Sequence, residues 1–177
     1  GRWLDLENFV DYLLLNLYTA MGDWPNNNWK AGKDRASGGL WRFYVWDAEW
    51  ACGIYGASPT LDTFALSGGG PSDSGLSSGG EIAFLYQKLH RSPEFRLLFA
   101  DRIQKHFYDN GALTDTNLLR RFLQMKGELI TEIPSIDTGI QTTWIPQRRP
   151  ILMGQFAKYG LQAPLGAPGF NQAGGRV

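Results

Sequence analysis

The sequence predicts a mainly α-helical domain that carries one small β-hairpin, and three observations support this. Residues 5–20 place Leu6, Phe9, Val10, Leu13, Leu14 and Leu17 at the i, i+3, i+4, i+7, i+8 and i+11 positions of one helical face. Residues 41–46 are aromatic or β-branched at five positions of six, which is a strand pattern. After Glu81 the helical period returns in several segments with their own start and stop residues. Strands and helices do not alternate as a doubly wound sheet requires, and there are too few strands for a sandwich.

Asp5 can cap the first helix, because its carboxylate accepts a free amide of the opening turn. Tyr12, Leu15 and Tyr18 widen the apolar stripe, so this helix is expected to be buried on most sides. Gly22 is the expected stop, and Pro25 forbids continuation. Residues 29–32 read as a short strand, 33–39 as a polar turn and 41–46 as the returning strand. From 53 to 80 the periodicity lapses, and residues 56–80 are expected to be a flexible Gly/Ser loop.

Residues 81–90 form the next predicted helix. Ser92-Pro93-Glu94 restarts the chain with Ser as cap and Pro at the first helical position. That helix is expected to bury Phe95, Leu98, Phe99, Ile103 and Phe107 before Asn110-Gly111 ends it. Thr114 opens another, which runs toward Pro134. A last helix is expected over 147–159, with Pro150 confined to its first turn, followed by a tail or linker over 162–177.

Composition removes several function classes. Lys plus Arg and Asp plus Glu both number 17, so the net charge is zero and the basic footprint of a nucleic-acid binder is missing. Cys52 is the only cysteine, which excludes an intrachain disulfide and a cysteine zinc site. His90 and His106 lack metalloprotease spacing and read as structural. No stretch reaches the run of about 18 apolar residues that spans a bilayer.

The chemistry-bearing residues concentrate between 22 and 49. Asp23 lies five residues ahead of Asn28 in the turn Gly22-Asp-Trp-Pro-Asn-Asn-Asn28, and the second strand runs into Asp47-Ala48-Glu49. A carboxylate and an amide on one loop, facing a carboxylate at a strand end, can hold a divalent cation and receive a proton. Phosphoryl transfer uses those parts, because its catalysis is mostly positioning and charge stabilisation. Plainer readings stand beside this one. Asp23, Asn26 and Asn27 suit turn chemistry, and Glu49 is either metal support or a loop carboxylate. Trp24, Trp29, Trp41, Trp46 and Trp50 are either core and hairpin packing or a sugar-stacking platform. Cys52 reads as a small buried residue, and Arg148-Arg149 as a solvated helix start or a phosphate contact.

The segments Asp5-Leu-Glu-Asn-Phe-Val-Asp-Tyr12, Asp23-Trp-Pro-Asn-Asn-Asn28 and Trp41-Arg-Phe-Tyr-Val-Trp-Asp-Ala-Glu49 resemble the CotH kinase family of atypical, spore-coat-protein-H-like kinases. Ser92-Pro-Glu-Phe-Arg96 and the helix start at Leu113-Thr114 extend the likeness over roughly residues 3–160. The resemblance implies a protein-kinase-like C-lobe over 1–161, with the N-lobe absent from this chain. It implies that Asp23 is the catalytic base and that Asn28 and Asp47 are metal ligands, with Asn27 replacing Asn28 if the loop register shifts by one. Glu49 stands where relatives carry a second Asp and would join the metal set. Mg²⁺ or Mn²⁺ and ATP are the implied cofactors, and a protein Ser/Thr, as on a surface or coat protein, is the implied acceptor. Extracellular, cell-surface or spore-coat association follows only from this likeness. Without a glycine-rich phosphate loop and a strand lysine, the chain alone is expected to be catalytically silent. Two alternatives from other classes are a carboxylate-pair carbohydrate hydrolase using Asp23 and Asp47 and a non-catalytic coat module.

Overall fold

A computed structural model of the chain describes residues 3–35, 38–54, 56–65, 75–77, 80–136 and 138–162. Among the described residues, five α-helices and one two-stranded antiparallel sheet make the architecture, so it is mainly helical with a hairpin. Residues 163–177 of the predicted tail and part of the predicted Gly/Ser loop (66–74 and 78–79) lie outside the described residues.

Helix α1 (Leu6–Thr19) is the spine of the core. Asp5 caps it as its chemistry predicts, accepting the Asn8 amide at 3.1 Å. Phe9, Val10, Leu13, Leu14 and Leu17 are fully buried. The helix ends earlier than the expected stop at Gly22. Ala20 takes the left-handed conformation instead (φ 45°), and its amide closes the helix onto Asn16 O. Tertiary bonds account for the early exit: Cys52 N–H donates to Thr19 O (2.7 Å) and Gly22 N–H to Trp50 O (3.0 Å), which peels the chain off its helical path.

Strands β1 (Trp29–Lys33) and β2 (Trp41–Val45) pair with Trp29 opposite Val45 and Lys33 opposite Trp41. The alternation places Phe43 against Phe9 and Tyr12 of α1, with ring centroids 5.0 and 5.6 Å apart. Trp24 packs in the core, but Trp41, Trp46 and Trp50 are exposed, contrary to the packing expected of them. Trp46 lies just past the end of β2, where the Lys30 ammonium of β1 sits 4.9 Å from its ring centroid.

Helices α2 (Glu81–His90) and α3 (Pro93–Phe107) begin and end close to where the sequence puts them, and Ser92 caps α3 through the Phe95 amide at 3.2 Å. Helix α4 (Asp115–Leu129) stops short of Pro134, and Leu119, Leu123, Met125 and Leu129 on it are exposed. Thr114 is its cap residue but turns its hydroxyl back to Gly111 O (2.9 Å). The last helix, α5 (Ile145–Lys158), starts earlier than expected and follows a π-helical turn over Ile140–Trp144; Pro150 lies inside it rather than in its first turn.

Arg148 departs furthest from expectation. It is fully buried, not solvated. Its guanidinium donates to Leu17 O (2.5 Å), Tyr18 O (3.0 Å), Pro59 O (2.7 Å) and Leu61 O (2.9 Å), and to the Thr63 hydroxyl (3.2 Å). Leu17 and Tyr18 belong to the last turn of α1, whose carbonyls lack intrahelical donors, so α5 caps α1 through this side chain. Burial pushes the guanidinium down to about 10, which leaves it charged at neutral pH. The same anchoring holds residues 59–63, where Phe64 next door is fully buried, as is Leu76 beyond the undescribed stretch.

Candidate active site

The end of α1 and the end of β2 deliver the two halves of the site. Residues 19–22 and 50–52 are laced by the Thr19–Cys52 and Gly22–Trp50 backbone bonds. The approach is close enough that a Cβ on Gly22 would lie 2.9 Å from the Trp50 ring, so any larger residue there would push Trp50 aside. Asp23 follows Gly22 directly, and Glu49 precedes Trp50 on a 3-10 turn over Ala48–Trp50. The two carboxylate-bearing segments therefore run side by side.

Asn28 bridges them. Its side-chain Nδ2 donates to the backbone carbonyl of Asp47 at 3.3 Å. Asn27 stands apart from that bridge: its side chain is exposed, and its backbone N–H closes the loop onto Asp23 O at 2.7 Å. Asp23 and Asn28 are half-buried, whereas Asp47 and Glu49 are exposed. Asp23, Asn28 and Asp47 all have positive φ, at 59°, 55° and 56°. Left-handed backbone is uncommon outside glycine, although Asp and Asn accept it best. All three fall at one junction.

The loop after Asp23 is held from below. The Trp24–Pro25 bond is cis, and the buried Trp24 indole donates its Nε1–H to the Tyr12 hydroxyl at 2.7 Å. Burial raises the Tyr12 hydroxyl above the usual phenol range, outweighing the lowering from that bond, so it stays protonated at neutral pH. On the other half, Asn8 of α1 exchanges two hydrogen bonds with the Phe43 backbone, and Asp5 pairs with Arg42 at 2.9 Å. The sequence pattern gives Asn8 no role and Tyr12 only a place in the apolar stripe of α1. The available signal was a polar amide in a helix buried on most sides.

The remaining candidates have structural roles. His90 bonds the Tyr159 carbonyl at 3.0 Å. His106 and Arg102 both engage Asp11, tying α3 to α1. Cys52 is half-buried, with its thiol pushed up to about 12 by burial. Among the described residues, no three His, Cys, Asp or Glu side chains gather into a metal cluster, so Asp23, Asp47 and Glu49 are not a carboxylate cage. What does come together is the carboxamide of Asn28 with the Asp47 strand end.

Fold and candidate site define a mainly helical protein in which the loop bearing Asp23 and Asn28 abuts the end of the hairpin, joined to it by the Asn28 side chain on the Asp47 backbone carbonyl. Residues 1–143 match the CotH kinase protein family. The chain belongs to that family, and membership points to a kinase-like function. Comparison with curated proteins and with solved structures gave no match. No helix among the described residues is long and apolar enough to cross a membrane.

Proposed function

We propose that this chain is the C-lobe of an ATP-dependent, protein-kinase-like phosphotransferase that acts on protein Ser/Thr hydroxyls. Asp23 orients the acceptor hydroxyl and takes its proton, while Asn28 and Asp47 hold Mg²⁺ or Mn²⁺ against the nucleotide phosphates. Glu49, two residues past Asp47, adds a carboxylate to the cation or to its water shell. The observation that carries this reading is the Asn28–Asp47 bridge at 3.3 Å. It joins two groups 19 residues apart, in a junction whose backbone is left-handed at all three proposed positions.

The donor set suits the cation. Mg²⁺ takes oxygen ligands, usually one or two carboxylates plus waters and substrate phosphates. Asn28 uses its Nδ2 on Asp47, which leaves its Oδ1 toward a cation, and Asp47 is open to solvent. A bound divalent ion would neutralise charge on the transferring phosphoryl group. The chain's own residues orient the acceptor and fix the spacing of the two halves. A carbohydrate hydrolase built on Asp23 and Asp47 would leave Asn28 without a task.

The test is transfer from γ-labelled ATP by the protein that contains this chain. Transfer should be lost with EDTA and in Asp47→Ala, and reduced at least about a hundredfold in Asp23→Asn. Equal transfer by Asp47→Ala would remove the metal assignment, and hydrolysis of a carbohydrate substrate that survives EDTA would favour the hydrolase. The chain has no glycine-rich loop followed by a strand lysine, so calorimetry with Mg-ATP on the chain alone should detect no micromolar binding.

A further inference from the structure

We propose that Asn8 and Tyr12, one turn apart on α1, are positioning residues that set how the Asp23 loop meets the Asp47 strand end. The inference rests on reading that junction as the site. Asn8 Nδ2 donates to Phe43 O at 3.2 Å, and Phe43 N–H donates to Asn8 Oδ1 at 2.7 Å. This is the two-way exchange of a hydrogen-bonded antiparallel pair, made by a side chain instead of a strand. It completes an edge. Trp41 N–H donates to Trp3 O (2.9 Å) and Asp5 N–H to Trp41 O (3.0 Å). The side of β2 away from β1 is thus held from 41 to 43 by residues 3–5 and then by Asn8. Asp47 lies four residues beyond Phe43, about 13 Å of extended chain. A slip of one residue at Phe43 would turn every following side chain to the opposite face.

Tyr12 does the corresponding work on the loop. It stands four residues after Asn8, on the same helical face. Its hydroxyl takes the Nε1–H of Trp24, the residue that follows Asp23. Its ring also packs on Phe43, with centroids 5.6 Å apart. One face of α1 therefore grips the strand that runs to Asp47 and the loop that starts at Asp23. Neither the amide nor the hydroxyl is needed to make the helix, since Asp5 caps it and an apolar stripe buries it. Their partners lie in the two halves of the site.

Asn8→Asp keeps shape and acceptor but cannot donate to Phe43 O; Tyr12→Phe removes one oxygen. The readouts are the ¹⁵N side-chain amide resonances of Asn28 and a titration with Mn²⁺ alone, followed by paramagnetic broadening at Asp47. Each variant should shift the Asn28 resonances and raise the half-saturating Mn²⁺ about tenfold, while α3 and α5 resonances stay in place. A role confined to stability would lower the melting temperature but leave both readouts of the folded protein unchanged, and that result overturns the proposal. If the unaltered protein binds no Mn²⁺ yet both variants move the Asn28 resonances, the positioning role stands and the cation reading falls. Should Asn8→Asp fail to fold, Tyr12→Phe alone decides.

Discussion

Replacing Arg148 by Met should cost this protein about 4 kcal/mol, and the figure follows from which acceptors lose their donors. Met keeps most of the volume of the side chain, so packing loss is small. Of the four carbonyls that the guanidinium serves, Leu61 O keeps the Gln155 side-chain donor at 2.8 Å, and Leu17 O keeps a long contact from the Thr63 hydroxyl at 3.5 Å. Tyr18 O and Pro59 O lose the donors they have from Arg148. A buried polar group left without its partner costs roughly 1–3 kcal/mol, so two give about 2–6 kcal/mol. Equilibrium urea unfolding, followed by tryptophan fluorescence, measures this. With a slope of about 2.5 kcal/mol per molar urea, the midpoint should fall by roughly 1.6 M. Arg148→Lys should fall between the two, because one ammonium cannot span the guanidinium's five acceptors. A midpoint shift below about 0.4 M in the Met variant would refute the reasoning, since it would mean that water reaches these carbonyls and that Arg148 does not clamp α1 to α5.

Gly22→Ala should destabilise by about 1–3 kcal/mol in the same assay, because the new Cβ meets the Trp50 side chain at 2.9 and 3.1 Å. Cys52 should react with a disulfide reagent at pH 8 at least about a hundredfold more slowly than a free cysteine and reach full rate in urea, since little of its raised-pKa thiol is thiolate. The native thiol also holds its proton to about 12 while the unfolded one releases it near its ordinary value. Stability should therefore decline with rising pH across that interval, and Cys52→Ala should flatten the decline. Asp62 has the opposite sign. Its partial burial raises its pKa, but the Lys158 ammonium, the Phe64 amide and the Tyr159 hydroxyl together hold the carboxyl below its usual range. Its contribution is present above the ordinary carboxylate pKa and is lost as pH falls through the lower folded value. Thermal melts of Asp62→Asn should accordingly converge on the unaltered protein at the acid end.

How far the sequence could be read depended on the range of the interactions involved. The starts of α1 and α3 were legible because Asp5 and Ser92 each cap an amide three residues away. The hairpin was legible because its strands alternate and lie close in the chain. Arg148 was not, since a basic doublet near a helix start reads as solvated, and its acceptors lie 85 to 131 residues distant. The end of α1 falls within a residue of the expected 5–20 span, but its left-handed residue is Ala20 and not Gly22, because the Gly22–Trp50 and Cys52–Thr19 backbone bonds override the local preference for glycine at such a cap. At the site, Asp23, Asn28 and Asp47 could be picked out by spacing and resemblance. What grips their segments could not, because Asn8 and Phe43 are 35 residues apart and nothing local marks them as partners.

The left-handed residues explain why so much of the molecule is arranged around this one junction. A non-glycine residue at φ near +55° is disfavoured, less for Asp and Asn than for others, and glycine would remove the penalty at each position. Ala20 and Cys52, which flank the junction, are left-handed as well. Five unfavourable conformations within 33 residues persist only if the surroundings over-determine them. Those surroundings are the Gly22–Trp50 and Cys52–Thr19 backbone bonds, the Tyr12–Trp24 and Asn8–Phe43 bonds and the Arg148 clamp, which gather on α1 and on the loop that leaves it. The helix is thus buried deeply enough to hold a strained turn at its own C-terminus. On the proposed reading, the chain keeps two carboxylates and a carboxamide at bends where glycine would cost less because their side chains do the work of the site.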